Sequence, residues 1–469
     1  LFALGARGAD NSNLPKLGDR TSGIISLEQE HELGQELLRE LRAQAPLTVD
    51  PVLQDYLEHL IYKLALNSEL QDRRLSVVLI DARELNAFAA PGGVVGVHDG
   101  LFLYAENQNE IAAILAHELA HLSQRHFARG AESNKNASIP SLAGLLAGVI
   151  IMAAGGGDAG LAAITAGQAL SQSQMLGYSR GREAEADRVG IRTLARADMD
   201  PRAMATMFER LERASRFSGN HIPEFLLTHP VTKDRIADSY NQVQQYPKKD
   251  YPLDIDYQMM RARVIVHKSD TIDNAILKMR DGLKETDPVR KAAYRYGLAL
   301  ALTESAQYDE AEKQLDIVRQ QYPNKIALTV AEADIYTRSE QYDKANDLLA
   351  SALAISPGNY PLTMAYATSL TRSGDPHHAE VLLKALTKDR PDDVNLWYQL
   401  AETYGLANNI LGVHEARAEY FVLVGNLDQA ITQLGYAIPL VRDNYQQTAR
   451  IQARIEEIHH MREERRASG

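Results

Sequence analysis

Ile111-Ala112-Ala113-Ile114-Leu115-Ala116-His117-Glu118-Leu119-Ala120-His121-Leu122 spaces its apolar residues as an α-helix does. His117 and His121 are four apart, so they share one helix face with a rise of roughly 6 Å between them. Two imidazoles so placed can hold one Zn2+ at roughly 2.0–2.1 Å from each ring nitrogen. Glu118 follows the first histidine directly and can reach a water on the metal without being a ligand. That is the layout of a zinc peptidase with the glutamate as general base. The pentapeptide also occurs by chance, and the plain alternative is a helix that happens to carry two histidines. Against it, Ile114, Leu115, Leu119 and Leu122 surround the pair, where uncoordinated rings would need other partners.

A catalytic zinc needs a third protein ligand and one open position. The extended motif HExxHxxGxxH fails here, because Gln124 and Phe127 stand where Gly and His are required, and His126 falls at the wrong offset. The other solution is a glutamate on a later helix. Glu183-Ala184-Glu185-Ala186-Asp187 offers Glu183 as a ligand, with Asp187 on the same face to accept a hydrogen bond from a ligand histidine. Glu185 points elsewhere. The alternative is a solvated charged helix in which Arg182 and Arg188 pair with these carboxylates.

These two motifs resemble those of the HtpX and CAAX-prenyl-protease type zinc metallopeptidases. So do Asn86-Ala87-Phe88-Ala89-Ala90-Pro91-Gly92-Gly93 and Thr228-His229-Pro230 followed by Arg235. The resemblance covers about residues 24 to 245, with the four motifs in the family's order. It implies His117, His121 and Glu183 as ligands of one Zn2+ per chain, Glu118 as base and Asp187 behind the ligands. His229, in its family-like segment, is expected to occupy or approach the metal's fourth position and restrain activity; the alternative is a loop or capping residue. Arg235 or His229 could donate to the oxyanion of the transition state. Gly92, Gly93, Val94, Val95, Gly96 and Val97 are expected to form an edge strand that binds an extended substrate by its main chain. The resemblance further implies a periplasmic bacterial protein acting on misfolded or misassembled outer-membrane β-barrel proteins, with partner docking to the assembly machinery through the C-terminal repeats. An adaptor or chaperone with a mainly structural zinc domain is the competing reading, and Glu118 argues against it, since a structural site needs no base.

The 469 residues are too many for one ordinary core. A formal net charge of −12 disfavours nucleic-acid binding, and the lack of cysteine leaves His and carboxylate as the ligand set. Leu1-Phe2-Ala3-Leu4-Gly5-Ala6 reads as the tail of a signal peptide, which would mean export, or as a simple flexible terminus; residues 1–23 are expected to be flexible. Residues 136–177 hold two apolar runs split by Gly155-Gly156-Gly157-Asp158. Each is shorter than the roughly 20 residues of a membrane span, so the chain is expected to be soluble, not integral to a membrane. The segment reads as a packed hairpin, or as a lid that covers the cleft or touches a membrane surface, with Ser138 to Leu145 as a plug.

Ser26 with Gln29 predicts a capping box, and Asp50-Pro51 a second helix start. Leu75 to Ile80 reads as a strand, and Phe88 to Val97 as a second one interrupted by Pro91-Gly92-Gly93. Beyond Pro252, Ala311, Ala345 and Ala379 recur every 34 residues, as do Leu315, Leu349 and Leu383, and Pro323, Pro357 and Pro391. That is the tetratricopeptide period, and it predicts a curved solenoid. The expected fold class is mainly α: an α+β gluzincin-type metallopeptidase domain with a small sheet over residues 24–250, then an all-α solenoid over 251–469.

Overall fold

Ser26 opens the first helix with the expected reciprocal cap: the Gln29 N–H donates to its hydroxyl at 3.1 Å, and its own N–H donates to the Gln29 side chain at 2.9 Å. In this computed structural model, which describes residues 25–133, 180–217 and 224–468, that helix is α1 (Leu27–Gln44). The expected N-terminal flexible stretch, the 136–177 insertion and its plug lie outside the described residues. Helix α2 (Pro51–Asn67) begins where Asp50 accepts from the Val52 and Leu53 N–H groups, with Pro51 at a position that has no helical N–H to lose.

Strands β1 (Ser76–Ile80), β2 (Ala87–Ala90) and β3 (Val94–His98) form one sheet in the order β1-β3-β2. β1 runs parallel to β3, and β2 antiparallel to it with Ala90 opposite Val94. The interrupted strand expected over Phe88 to Val97 is therefore a hairpin. The chain reverses at Pro91-Gly92-Gly93, where Gly92 (φ 74°) and Gly93 (φ 83°) take the left-handed conformation that suits glycine. This turn is clamped by α1: a Cβ on Gly92 would lie 2.5 Å from the Glu30 carbonyl oxygen, and one on Gly34 would lie 2.4 Å from that of Pro91. The substrate-edge assignment of Gly92, Gly93, Val94, Val95, Gly96 and Val97 fails for the same reason. The two glycines are turn and packing residues, and Val94 to Val97 lie in the central strand, buried and paired on both sides. The edge beside the metal-motif helix is β2.

After α3 (Leu101–Tyr104) comes α4 (Gln108–Ser123), whose residues Asn109 to His121 are all buried. It is followed by α5 (His126–Ser133), α6 (Arg180–Arg196), α7 (Ala203–Phe217), α8 (Glu224–Thr228) and α9 (Lys233–Val243). Helix α6 crosses α4 at Gly190, where a Cβ would sit 3.3 Å from the Ala116 carbonyl carbon and from the His117 nitrogen. That close crossing carries the first turns of α6 over the histidines.

The remaining helices pair off along the chain. They are α10 (Ile255–His267), α11 (Ile272–Gly282), α12 (Pro288–Glu304), α13 (Tyr308–Gln321), α14 (Ile326–Arg338), α15 (Tyr342–Ile355), α16 (Tyr360–Arg372), α17 (Pro376–Leu386), α18 (Val394–Leu406), α19 (Ile410–Leu423), α20 (Leu427–Ala437) and the long α21 (Tyr445–Ser468). The repeating Ala311, Ala345 and Ala379 and Leu315, Leu349 and Leu383 are all buried, at matching places on α13, α15 and α17. Trp397 is partly buried against the repeat core and donates to the Pro391 carbonyl at 2.7 Å.

The first repeat is fused to the N-terminal core. Tyr257 stacks on Phe102 at 5.8 Å and its hydroxyl donates to the Ala105 carbonyl at 2.9 Å. The far repeats return to the same body: Arg390 donates to both Glu58 oxygens at 2.8 Å, Arg42 to the Asp392 carbonyl at 2.8 Å, and Arg465 to Glu40 at 3.2 Å. Among the described residues, no helix is long and apolar enough to cross a membrane.

Candidate metal centre

Helix α4 presents His117 and His121 one turn apart, α6 lays Glu183 over them, and His229 enters from the residue after α8, where its N–H donates to the Phe225 carbonyl at 2.8 Å. All four side chains are buried and offer donor atoms within 4.8 Å of one another. His117 Nε2 lies 3.0 Å from His121 Nε2, 3.3 Å from His229 Nδ1 and 3.5 Å from Glu183 Oε2. Glu183 Oε1 lies 3.4 Å from His121 Nε2 and 3.1 Å from His229 Nδ1. A tetrahedral ion with bonds of roughly 2.0–2.1 Å separates its ligands by roughly 3.3–3.4 Å. The donor set, three imidazole nitrogens and one carboxylate, therefore fits a small divalent ion in both size and chemistry.

Glu118 belongs to the same cage. The Ala89 N–H of β2 donates to its Oε2 at 3.0 Å, while Oε1 is buried, has no hydrogen-bond partner among the described residues and lies 3.6 Å from His229 Nε2. Burial raises its pKa above the usual carboxylate value, which increases its appetite for a proton. Burial pulls Glu183 the same way, but His229 and His117 outweigh it and hold that carboxyl well below its usual range. Burial lowers His117, yet Asp187 and Glu183 carry it up to about 9. Burial, then the neighbouring His117 and His229, push His121 well down.

Asp187 stands behind the ligands, 2.9 Å from His117 Nδ1. Arg235 grips it through Nε at 2.8 Å and Nη2 at 2.7 Å, reaches Glu183 Oε2 with Nη1 at 2.9 Å, and donates to the Pro230 carbonyl at 2.8 Å. With donors on Asp187, on Glu183 and on the Pro230 carbonyl, Arg235 is a clamp that ties the α6 carboxylates to the segment after His229.

His126 and Glu185, which the spacing argument set aside, also meet at this centre. His126 Nδ1 lies 2.9 Å from His121 Nδ1, and its Nε2 lies 3.1 Å from Glu185 Oε2, which Arg129 also contacts at 3.0 Å. The signal was a third histidine five residues past His121 and an acidic residue two past Glu183.

Residues 51–241 match peptidase family M48, and residues 336–403 match a tetratricopeptide repeat family. The chain is 37% identical over 455 residues to a putative β-barrel assembly-enhancing protease of Vibrio cholerae, covering 97% of this chain and 94% of that one. The chain belongs to peptidase family M48. A second relative, the β-barrel assembly-enhancing protease of Escherichia coli, is 32% identical over 456 residues, 97% of this chain and 93% of its own. The mitochondrial metalloendopeptidase OMA1 of Schizosaccharomyces pombe is 28% identical over 226 residues, 48% of this chain and 64% of its own. The resemblance read from the four motifs thus holds: this is an M48 metallopeptidase followed by tetratricopeptide repeats.

Proposed function

We propose that this metallopeptidase uses one Zn2+ per chain to cleave misfolded or misassembled envelope proteins in the periplasm, outer-membrane β-barrel proteins among them. A catalytic unit over residues 24–250 does the cutting, and repeats over 251–469 bind substrate or the outer-membrane assembly machinery. The similarity to β-barrel assembly-enhancing proteases supports the substrate class. The observation that carries the chemistry is the four-donor cage beside the orphaned carboxylate oxygen of Glu118.

His117, His121 and Glu183 would hold the metal. When bound, zinc supplies Lewis acidity toward water and the scissile carbonyl. Glu118 takes the proton of the attacking water and returns it to the leaving amine, a task suited to a carboxylate with raised proton affinity. The Ala89 N–H orients Glu118, Asp187 orients His117, and Arg235 holds both Asp187 and Glu183 in place. His229, with Nδ1 3.3 Å from His117 Nε2 and 3.1 Å from Glu183 Oε1, would offer the metal a fourth ligand and would have to withdraw to admit substrate.

That last feature also favours a second reading, a chaperone-like adaptor whose zinc site stays closed. The test is cleavage of unfolded casein by zinc-loaded wild type, Glu118→Gln and His229→Ala, with bound zinc quantified in each. The proposal expects wild type to cut, Glu118→Gln to keep zinc and lose at least a hundredfold in rate, and His229→Ala to cut faster. If all three bind one zinc and none cuts, the adaptor reading replaces it.

A further inference from the structure

The two histidines of the pentapeptide are backed differently. His117 meets the carboxylate of Asp187 directly. His121 meets an imidazole, and only beyond it a carboxylate. His126, wholly buried, places Nδ1 2.9 Å from His121 Nδ1 and Nε2 3.1 Å from Glu185 Oε2. Glu185 is 37% exposed and is shared with Arg129 at 3.0 Å.

Two ring nitrogens at that separation can make one hydrogen bond only if one carries a proton and the other does not. His121 turns Nε2 into the cage, 3.4 Å from Glu183 Oε1. A nitrogen that gives its lone pair to a metal carries no proton, so His121 must be protonated at Nδ1 and donate to His126 Nδ1. His126 then carries its own proton on Nε2 and donates it to Glu185. Each assignment forces the next, from the cage out to the surface.

We propose that His126 and Glu185 form a relay that fixes the tautomer and ring orientation of His121 and thereby sets how tightly the metal is held. This rests on the metallopeptidase reading above. Both are positioning residues, because neither touches the reacting atoms. The relay also spans two elements: His126 lies at the start of α5 and Glu185 in the first turns of α6.

The test is the zinc dissociation constant of the full chain, measured by competition with a chromophoric chelator, with melting of the metal-free protein as control. His126→Phe keeps a ring in the space and removes both hydrogen bonds; His126→Asn keeps an acceptor near the Nδ1 position. Loss of a partner behind a metal ligand typically costs 10–100-fold in affinity. His126→Phe is therefore expected to weaken zinc binding by about that factor, His126→Asn to recover most of it, and Glu185→Ala to show a smaller loss of the same sign. Unchanged affinity in His126→Phe, or equal loss in the Phe and Asn variants, overturns the relay and leaves His126 as packing. Should His126→Phe fail to fold, Glu185→Ala decides, since its half-exposed side chain can be removed without opening the core: unchanged zinc affinity there overturns the proposal. Wild type that binds no zinc defeats the metallopeptidase reading itself, whereas wild type that binds with unaltered variants defeats the relay alone.

Discussion

Removing the guanidinium of Arg235 should unbalance the metal-free protein far more than the zinc-loaded one. Arg235 is the one cation that contacts both Asp187 and Glu183 among the described arginine and lysine pairs, at 2.7 Å and 2.9 Å, and it also lies over the Phe208 ring at 4.7 Å. Arg235→Met keeps much of the volume and deletes the charge. Breaking a buried ion pair by removing one partner costs roughly 3–5 kcal/mol, because the other charge stays buried. The lost ring contact adds about 1 kcal/mol. A change of that size lowers the melting temperature of a domain of this size by roughly 10–20 °C. With a divalent ion in the cage, Glu183 has another cation, and the loss should fall to about half. Scanning calorimetry of chelator-treated and zinc-loaded protein gives both numbers. A metal-free melting temperature within about 2 °C of wild type, or an equal loss with and without zinc, refutes this account of Arg235.

Gly190→Val should force α6 away from α4, since a Cβ there would meet Met204 Cε at 2.8 Å and backbone atoms of Ala116 and His117 at 3.3 Å; an unfolding free energy lower by about 1–3 kcal/mol in denaturant titration and weaker zinc binding are expected together. Arg390→Ala removes two 2.8 Å bonds to Glu58 and the stacking over Tyr360 at 4.0 Å; loss of such a charged pair, about 1–3 kcal/mol, should speed limited proteolysis of the 387–393 connection. His98 is pushed down to about 4 by burial. The unfolded chain binds a proton there near pH 6.5 while the native state does not, so stability should be lost as pH falls from about 6.5 toward 4. Denaturation of the metal-free protein at pH 7 and 5 should show a drop of about 1–2 kcal/mol that is smaller in His98→Gln.

Local periodicity located the metal-motif helix and the repeats, because a four-residue step and a 34-residue step each report one helical surface. Glu183 and Asp187 were legible only conditionally: their shared face is ordinary until a second helix supplies the histidines. The edge strand was misplaced because the apolar runs Ala87 to Ala90 and Val94 to Val97, on either side of Pro91-Gly92-Gly93, read equally as one kinked strand or as a hairpin. What decides between them is the left-handed φ of both glycines and the seat that α1 provides. His126 with Glu185, 59 residues apart, and the clamp of Arg235 on Asp187, 48 apart, are products of tertiary packing that no local pattern encodes.

The return of the repeats to α1 has a consequence in time. Arg42 waits for Asp392, 350 residues later, and Glu40 for Arg465, 425 residues later. At a synthesis rate of roughly 5–20 residues per second, the outer face of α1 stays uncovered for on the order of half a minute after it emerges, while the repeats behind it pair locally and fast. The inner face of that helix seats the Pro91-Gly92-Gly93 turn, and with it the strand that orients Glu118. Ring closure by the last helices is thus the step that braces the catalytic edge from outside, and a chain cut short before Arg465 would carry every metal-site residue yet lack the final strut behind them.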